Sequence, residues 1–401
     1  MNHHLDLLQP YPFQRLAQLV AGISPPAKFS PIKLSIGEPG HPAPSFIARA
    51  WLEHQGELSQ YPGTRGNFAL RQAIANWLTQ RFSLPNGSIH PDRHCLPVAG
   101  TREALFAFAQ CVVEPSKDSL VLMPNPFYQI YEGATLLAGA LPWFLNTTQK
   151  TNFLPDFDAV PKEIWQRCQL LYVCSPSNPG GAVLGVATYE KLINLADRYD
   201  FVIAADECYS EIYGDEKSPP TGLLEVCAAL GRNDFQRCVV FHSLSKRSNV
   251  PGLRSGFIAG DGEILERFFL YRTYQGCALP PPTQAASTIA WSDEVHVVEN
   301  RVLYQCKFAA VLEILVDVLE VSAPAGGFYL WPKVHGDGEM FARALYAATN
   351  VLVLPGSYLS RFAHGINPGV DRIRIALVAT FEECLEAAKR IRDFVKTTNT
   401  Y

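Results

Sequence analysis

The chain has 401 residues, 48% of them hydrophobic, and a formal net charge of −4. That length exceeds the ~250–300 residues at which single cores stop growing, so two domains are expected. The mild acidity leaves no basic footprint for nucleic acid or an anionic membrane, and no apolar run reaches the ~18 residues a membrane helix requires.

In chain order, the opening Met1-Asn-His-His-Leu-Asp lacks a basic start, an apolar core and a cleavage site, so no signal peptide is expected and the reading is cytoplasmic. Residues 12–20 form an amphipathic piece, separated from the first core by the Pro-rich stretch 24–31. Gly100-Thr101-Arg102 feeds a helical segment whose apolar stripe is Ala104, Leu105, Phe108, Cys111 and Val112. A glycine-threonine turn at a helix N-terminus is an anion site, because unpaired amides and the helix dipole both point at the ligand. Short apolar runs follow at Leu120-Val-Leu-Met123, Leu170-Leu-Tyr-Val-Cys174, Phe201-Val-Ile-Ala-Ala205 and Val239-Val-Phe-His242, with a helical pattern carrying Leu192, Ile193 and Ala196 between the second and third. This alternation predicts an α/β fold with a mostly parallel central sheet covered by helices. Three prolines in Cys277-Ala-Leu-Pro-Pro-Pro-Thr-Gln284 precede a helical stretch expected over 284–319 and mark a seam. The predicted division is an N-terminal segment 1–40 packing with the small domain, a large domain 41–283 and a small α+β domain 284–401. Ten cysteines are scattered without a CxxC pair or metal-like His/Cys spacing, so they read as core thiols in a reducing compartment and no metal is expected. His3-His4 reads as part of an ordinary terminus.

The chemistry-bearing residues fall just beyond the apolar runs, where open α/β sheets place ligands. They are Asn178 in Ser175-Pro-Ser-Asn-Pro-Gly-Gly181, Asp206 and Tyr209 in Ala205-Asp-Glu-Cys-Tyr209, and Lys246 and Arg254 in Ser243-Leu-Ser-Lys-Arg-Ser-Asn-Val-Pro-Gly-Leu-Arg254. In this order they resemble the class I/II aminotransferases of the fold-type I pyridoxal-phosphate group, and the resemblance runs from about Leu34 to Leu377. It implies pyridoxal 5'-phosphate as cofactor, whose aldehyde, ring nitrogen, phenolic oxygen and phosphate each need a partner. Lys246 would be the amine that condenses with the aldehyde and Asp206 the carboxylate that keeps the pyridine nitrogen protonated. Asn178 and Tyr209 would bond the phenolic oxygen, while Ser243, Ser245, Arg254, Gly100, Thr101 and Arg102 would form the phosphate end.

Further motifs carry the resemblance along the chain. Ile36-Gly-Glu-Pro39 matches the loop whose glycine lies by the substrate carboxylate, which implies Gly37. Tyr61-Pro-Gly-Thr-Arg-Gly66 matches a loop whose tyrosine reaches the neighbouring subunit's phosphate, so Tyr61 implies a homodimer with shared sites. Pro126-Phe-Tyr128 matches the segment that stacks an aromatic on the pyridine ring, implying Tyr128. Asp371-Arg-Ile-Arg-Ile-Ala-Leu377 matches the motif whose arginine forks the substrate α-carboxylate, and Arg374 aligns better than Arg372; the two alternate, so one is expected to be a solvated edge residue. Gly326-Gly-Phe-Tyr-Leu-Trp331 also fits.

Within the family, the opening segment and the form of the lysine motif are most similar to succinyldiaminopimelate aminotransferases. That implies amino exchange between L-glutamate and N-succinyl-2-amino-6-oxopimelate in lysine and diaminopimelate synthesis, with Arg102 and the N-terminal segment as candidates for the extra carboxylate. Aspartate, alanine or aromatic aminotransfer and a β-elimination lyase share the same fold and remain alternatives. Ser243-Leu-Ser-Lys246 also matches the Ser-x-x-Lys signature of acyl-serine enzymes, but Ser292-Asp-Glu294 is only a partial second element and no Lys-Thr-Gly exists. A non-catalytic sensor module would need a DNA-binding domain ahead of the first motif at Ile36, and the chain before it is too short for one.

Overall fold

The computed structural model describes residues 1–115 and 118–398. Along the apolar runs, successive side chains enter different cores: Leu171, Val173, Ile203, Ala205 and Val240 join one cluster, and Leu170, Tyr172, Ala204, Val239 and Phe241 join the other. Strands alternate their side chains between the two faces of a sheet, so a run that is apolar throughout is one with both faces covered. The result is a seven-stranded sheet in the order Cys95–Val98, Gly256–Gly260, Cys238–Ser243, Val202–Asp206, Cys168–Cys174, Leu120–Asn125, Leu141–Asn146. Gly256–Gly260 runs antiparallel to both of its neighbours; the remaining pairings are parallel. Cys174 pairs with Asp206 and Asp206 with Phe241, so two adjacent strands end level and the third runs on only to Ser243. The segments that follow them therefore share one edge of the sheet.

A second core joins Leu315, Leu330, Ile373, Ile375, Leu377 and Ile391. It lies among the helices Val295–Leu315, Gly338–Thr349 and Phe381–Thr398 and an antiparallel sheet of Leu354–Pro355, Ile373–Ala376 and Tyr329–Leu330. Near the N-terminus, Ile32–Lys33 pairs in parallel with Val351–Leu352. The amphipathic piece forms the helix Pro12–Leu19, whose Leu16 packs with Trp331, Leu354, Tyr358 and Leu359.

The helical stretch expected over 284–319 is two helices, Pro281–Ser292 and Val295–Leu315. The buried Arg247 sits at the break: its Nη1 donates to the Ala290 carbonyl at 2.7 Å, its Nη2 to the Asp293 carbonyl at 3.1 Å, and it pairs with Glu294. Carbonyls freed at a helix end need such donors, and a sequence pattern does not reveal that a distant side chain supplies them. Ala286, Ala290 and Trp291 belong to the large sheet's core, whereas Val311 and Leu315 belong to the small one. Core membership thus changes across Asp293-Glu294. All ten cysteines are free thiols, and among the described residues no helix is long and apolar enough to cross a membrane.

Candidate active site

A cavity of about 550 Å³ opens where the ends of those three strands meet the small domain. Gly37, Thr101, Arg102, Tyr128, Asn178, Asp206, Tyr209, Ser243, Ser245, Lys246, Arg254 and Arg374 line it. Gly100 lies against one of these residues, and Tyr61 stands apart from the cavity with its side chain fully exposed.

Lys246 is carried on the one-turn helix Leu244–Arg247, capped by Ser243, whose Oγ accepts from the Ser245 amide at 3.1 Å. Its Nζ donates to the Gly37 carbonyl and lies 5.3 Å from the centre of the Phe328 ring. Burial lowers the ammonium to about 8; Cys208 and Glu38 oppose the shift, while Arg374 and Arg102 add to it. Removing an ammonium from water favours its neutral, nucleophilic form. Gly37 can approach this closely because it has no side chain: a Cβ there would overlap the Tyr329 hydroxyl.

Asp206 is 5% exposed and accepts from the Tyr131 hydroxyl at 2.6 Å and the Cys208 amide at 3.3 Å. Burial pushes its carboxyl above the ordinary range, with the hydrogen bonds from Cys208 and Tyr131 and the charge of His242 opposing. Asp206 lines the cavity, and among the described residues it forms no ion pair. Directly behind it, Glu207 and His242 form a fully buried pair at 3.1 Å. Thr101 Oγ1 meets Cys208 Sγ at 3.1 Å, which ties the helix Thr101–Val112 to the Asp206 segment.

Beside Lys246 the walls turn cationic. Arg254 has a left-handed backbone (φ +55°) and donates to the Pro251 carbonyl at 2.9 Å. Its guanidinium lies over Gly100 (φ +84°), where any Cβ would overlap Nη2. The glycine thus serves both the turn and the arginine. Together the guanidinium, the Ser243 and Ser245 hydroxyls and the start of the helix Thr101–Val112 make a cradle for a small anion.

Another wall holds Arg374, buried at 4%, with Nη1 donating to Asn178 Oδ1 at 3.0 Å and Nη2 to the Ser35 carbonyl at 2.8 Å. Its guanidinium lies 4.4 Å from the centre of the Tyr329 ring, and its Nε is buried without a partner. The Tyr209 and Tyr329 hydroxyls are 2.9 Å apart. Arg372 faces away from this cavity as alternation requires, but it is not a solvated edge residue: it is 7% exposed and donates to the Trp331 carbonyl at 2.9 Å. A third group has no partner in common with Arg374: Arg102 Nε donates to the Tyr128 hydroxyl at 2.7 Å and Nη2 to the Tyr11 hydroxyl at 3.3 Å.

Sequence reasoning did not single out Tyr131, Cys208, Tyr329 or Tyr11. Tyr131 lies three residues after Tyr128 at helical spacing, Cys208 between Asp206 and Tyr209, and Tyr329 inside the Gly-Gly-Phe-Tyr motif, so each had a positional signal. Tyr11 lies in the N-terminal segment that was a candidate together with Arg102, but the contact of its hydroxyl with that arginine is made only by folding.

A covalent-capable lysine of lowered basicity, a buried acid on the cavity wall, an anion cradle cleared by Gly100 and an arginine with an unpartnered Nε fit pyridoxal phosphate with an amino-acid substrate. The chain matches the Aminotransferase class I and II family over residues 30–391 and belongs to it, and the enzymes of that family depend on pyridoxal phosphate. An aminotransferase from Neisseria meningitidis is 48% identical and superposes with a TM-score of 0.94, covering 98% of this chain and 99% of that one. An LL-diaminopimelate aminotransferase from Nitratidesulfovibrio vulgaris is 31% identical over 394 residues, 96% of this chain and 97% of its own. A probable N-succinyldiaminopimelate aminotransferase from Thermus thermophilus is 26% identical, with a TM-score of 0.82 over 95% of this chain and 99% of that one.

Proposed function

We propose that this aminotransferase moves an amino group between L-glutamate and N-succinyl-2-amino-6-oxopimelate, in the cytoplasm, as a homodimer with shared sites. Bound pyridoxal phosphate supplies an electrophilic carbonyl and a ring that accepts the electrons of the broken Cα–H bond. Lys246 would be the residue that holds the carbonyl, and, displaced there by the substrate's amine, its Nζ would be the neutral base that takes the α-proton and returns it. Asp206, bonded by Tyr131, would keep the ring nitrogen protonated. Arg374 forks the α-carboxylate, and because Asn178 Oδ1 is committed to Arg374, the Asn178 amide N–H groups remain as donors to the phenolic oxygen alongside Tyr209. Ser243, Ser245, Arg254 and Thr101 on the cavity wall, with Gly100 against Arg254, would hold the phosphate, and Tyr128 would offer an aromatic face to the ring.

The observation that carries the substrate reading is the second arginine. Arg102 is held by two tyrosine hydroxyls and, among the described residues, forms no ion pair. Such a site suits a distal group that is anionic and carries no ammonium, which describes an N-succinylated chain end. The names of the curated relatives favour a second reading, in which the substrate is LL-diaminopimelate itself. Its distal ammonium would need an acidic partner, and Glu38 lines the same cavity.

The two readings part in a half-reaction assay. Enzyme first converted by glutamate to the amino form is mixed with N-succinyl-2-amino-6-oxopimelate, unsuccinylated 2-amino-6-oxopimelate, pyruvate or an aromatic keto acid. The succinylated acceptor is expected to return the absorbance fastest, and Arg102→Ala is expected to slow that acceptor about tenfold or more, the worth of one charged hydrogen bond. Faster return with the unsuccinylated acid would move the assignment to LL-diaminopimelate. Faster return with pyruvate would overturn both.

A further inference from the structure

Arg372 and Arg374 lie two residues apart on extended backbone, and their side chains enter different cavities. Arg374 faces the cavity described above; Arg372 faces a second one of about 420 Å³, and Tyr329 is a wall common to both. The two arginines are held alike. Arg372 donates from Nη1 to the Trp331 carbonyl at 2.9 Å and from Nη2 to Gln149 Oε1 at 3.3 Å, and its guanidinium lies 4.8 Å from the centre of the Phe153 ring. As with Arg374, both acceptors are neutral oxygens and the flat face rests on an aromatic ring.

Two carboxylates act on it, Asp371 more strongly than Glu320. The neighbouring Asp371 pairs with Lys333 at 3.5 Å. Glu320, on the exposed rim of the same cavity, also acts on Arg372 electrostatically, and among the described residues neither carboxylate forms an ion pair with it. A buried guanidinium bonded only to neutral oxygens is costly unless an anion completes it. Here a cation and an anion line one cavity with space between them.

We propose that this second cavity binds a free α-amino acid as its zwitterion, with the carboxylate on Arg372 and the ammonium toward Glu320. The site stands outside the transamination machinery, so its failure would leave the proposed reaction untouched.

The test uses the cofactor-loaded enzyme and N,N-dimethylglycine, which carries a carboxylate and an ammonium with one N–H but, as a tertiary amine, cannot condense with a carbonyl. Titration calorimetry is performed in an Arg374→Met background, which removes the other carboxylate fork. Saturable binding is expected there, weakened about tenfold or more by Glu320→Gln and abolished by Arg372→Met. Glu320→Gln alone should transaminate at the wild-type rate. No binding in the Arg374→Met background, or binding that survives both further substitutions, would overturn the proposal. Should Arg372→Met fail to give a native circular-dichroism spectrum, the exposed Glu320→Gln decides.

Discussion

The phenol of Tyr131 decides how Asp206 behaves. It donates at 2.6 Å to an acid that burial drives toward neutrality, and it is itself fully buried and stacked on Tyr172. Tyr131→Phe keeps the stack and removes the bond. A hydrogen bond to a charged group is worth ~1.5–3 kcal/mol, so kcat is expected to fall about tenfold with KM for glutamate little changed, as measured by steady-state kinetics. An equal rise in KM would mean that the phenol serves binding instead. Lys246 gives a prediction in pH. Burial lowers its ammonium from 10.5 to about 8, so between those values the unfolded chain holds a proton that the folded chain has released. Stability rises with pH wherever the unfolded state binds more protons. In cofactor-free protein, wild type should therefore gain stability relative to Lys246→Met as pH rises from about 8 toward 10.5. Denaturant midpoints of the two proteins across that range check it; a parallel course would sink it.

Among the elements, the turn into the helix Thr101–Val112 is the one whose failure is easiest to foresee. Gly100 has φ +84°, and an added Cβ would meet the Arg254 guanidinium. Gly100→Ala should destabilise by about 1 kcal/mol from backbone strain alone and should also weaken cofactor binding by displacing Arg254. Absorbance titration of cofactor into the apoprotein measures the second effect. Tighter or unchanged binding would show that Arg254 does not need that space. The same turn was visible in the sequence as a glycine before a helical stripe, and so were the strands through Leu170–Cys174 and Val239–His242, because double-sided burial writes itself as an unbroken apolar run. What escaped was set by contacts between distant residues. The break at Asp293-Glu294 depends on Arg247, the burial of Arg372 depends on Trp331 and Gln149, and the support of Arg102 comes from Tyr11, 91 positions away. Local pattern reports periodicity and turn chemistry; it carries no record of which far residue fills a hydrogen bond.

At the scale of the whole molecule, Tyr61 stands outside the cavity of its own subunit. Its side chain is fully exposed and lies off the cavity, and the apolar Leu52 and Leu58, each 56% exposed, stand close to it in sequence. If Tyr61 serves the partner's phosphate in a homodimer, its loss should be cured from outside. Lys246→Ala subunits should have no turnover, and Tyr61→Ala subunits should lose much of theirs through weaker cofactor retention. A hybrid of the two would contain one site with Lys246 from the Tyr61→Ala subunit and Tyr61 from the Lys246→Ala subunit, which is wild type at both positions. Mixing, unfolding and refolding the two variants should therefore restore turnover above either parent at limiting cofactor, while the doubly substituted subunit in the same mixture should not. If Tyr61 acted within its own subunit, the hybrid would gain nothing, since the lysine-bearing subunit would still lack its tyrosine. Equal activity in the mixture and in Tyr61→Ala alone would remove the shared site.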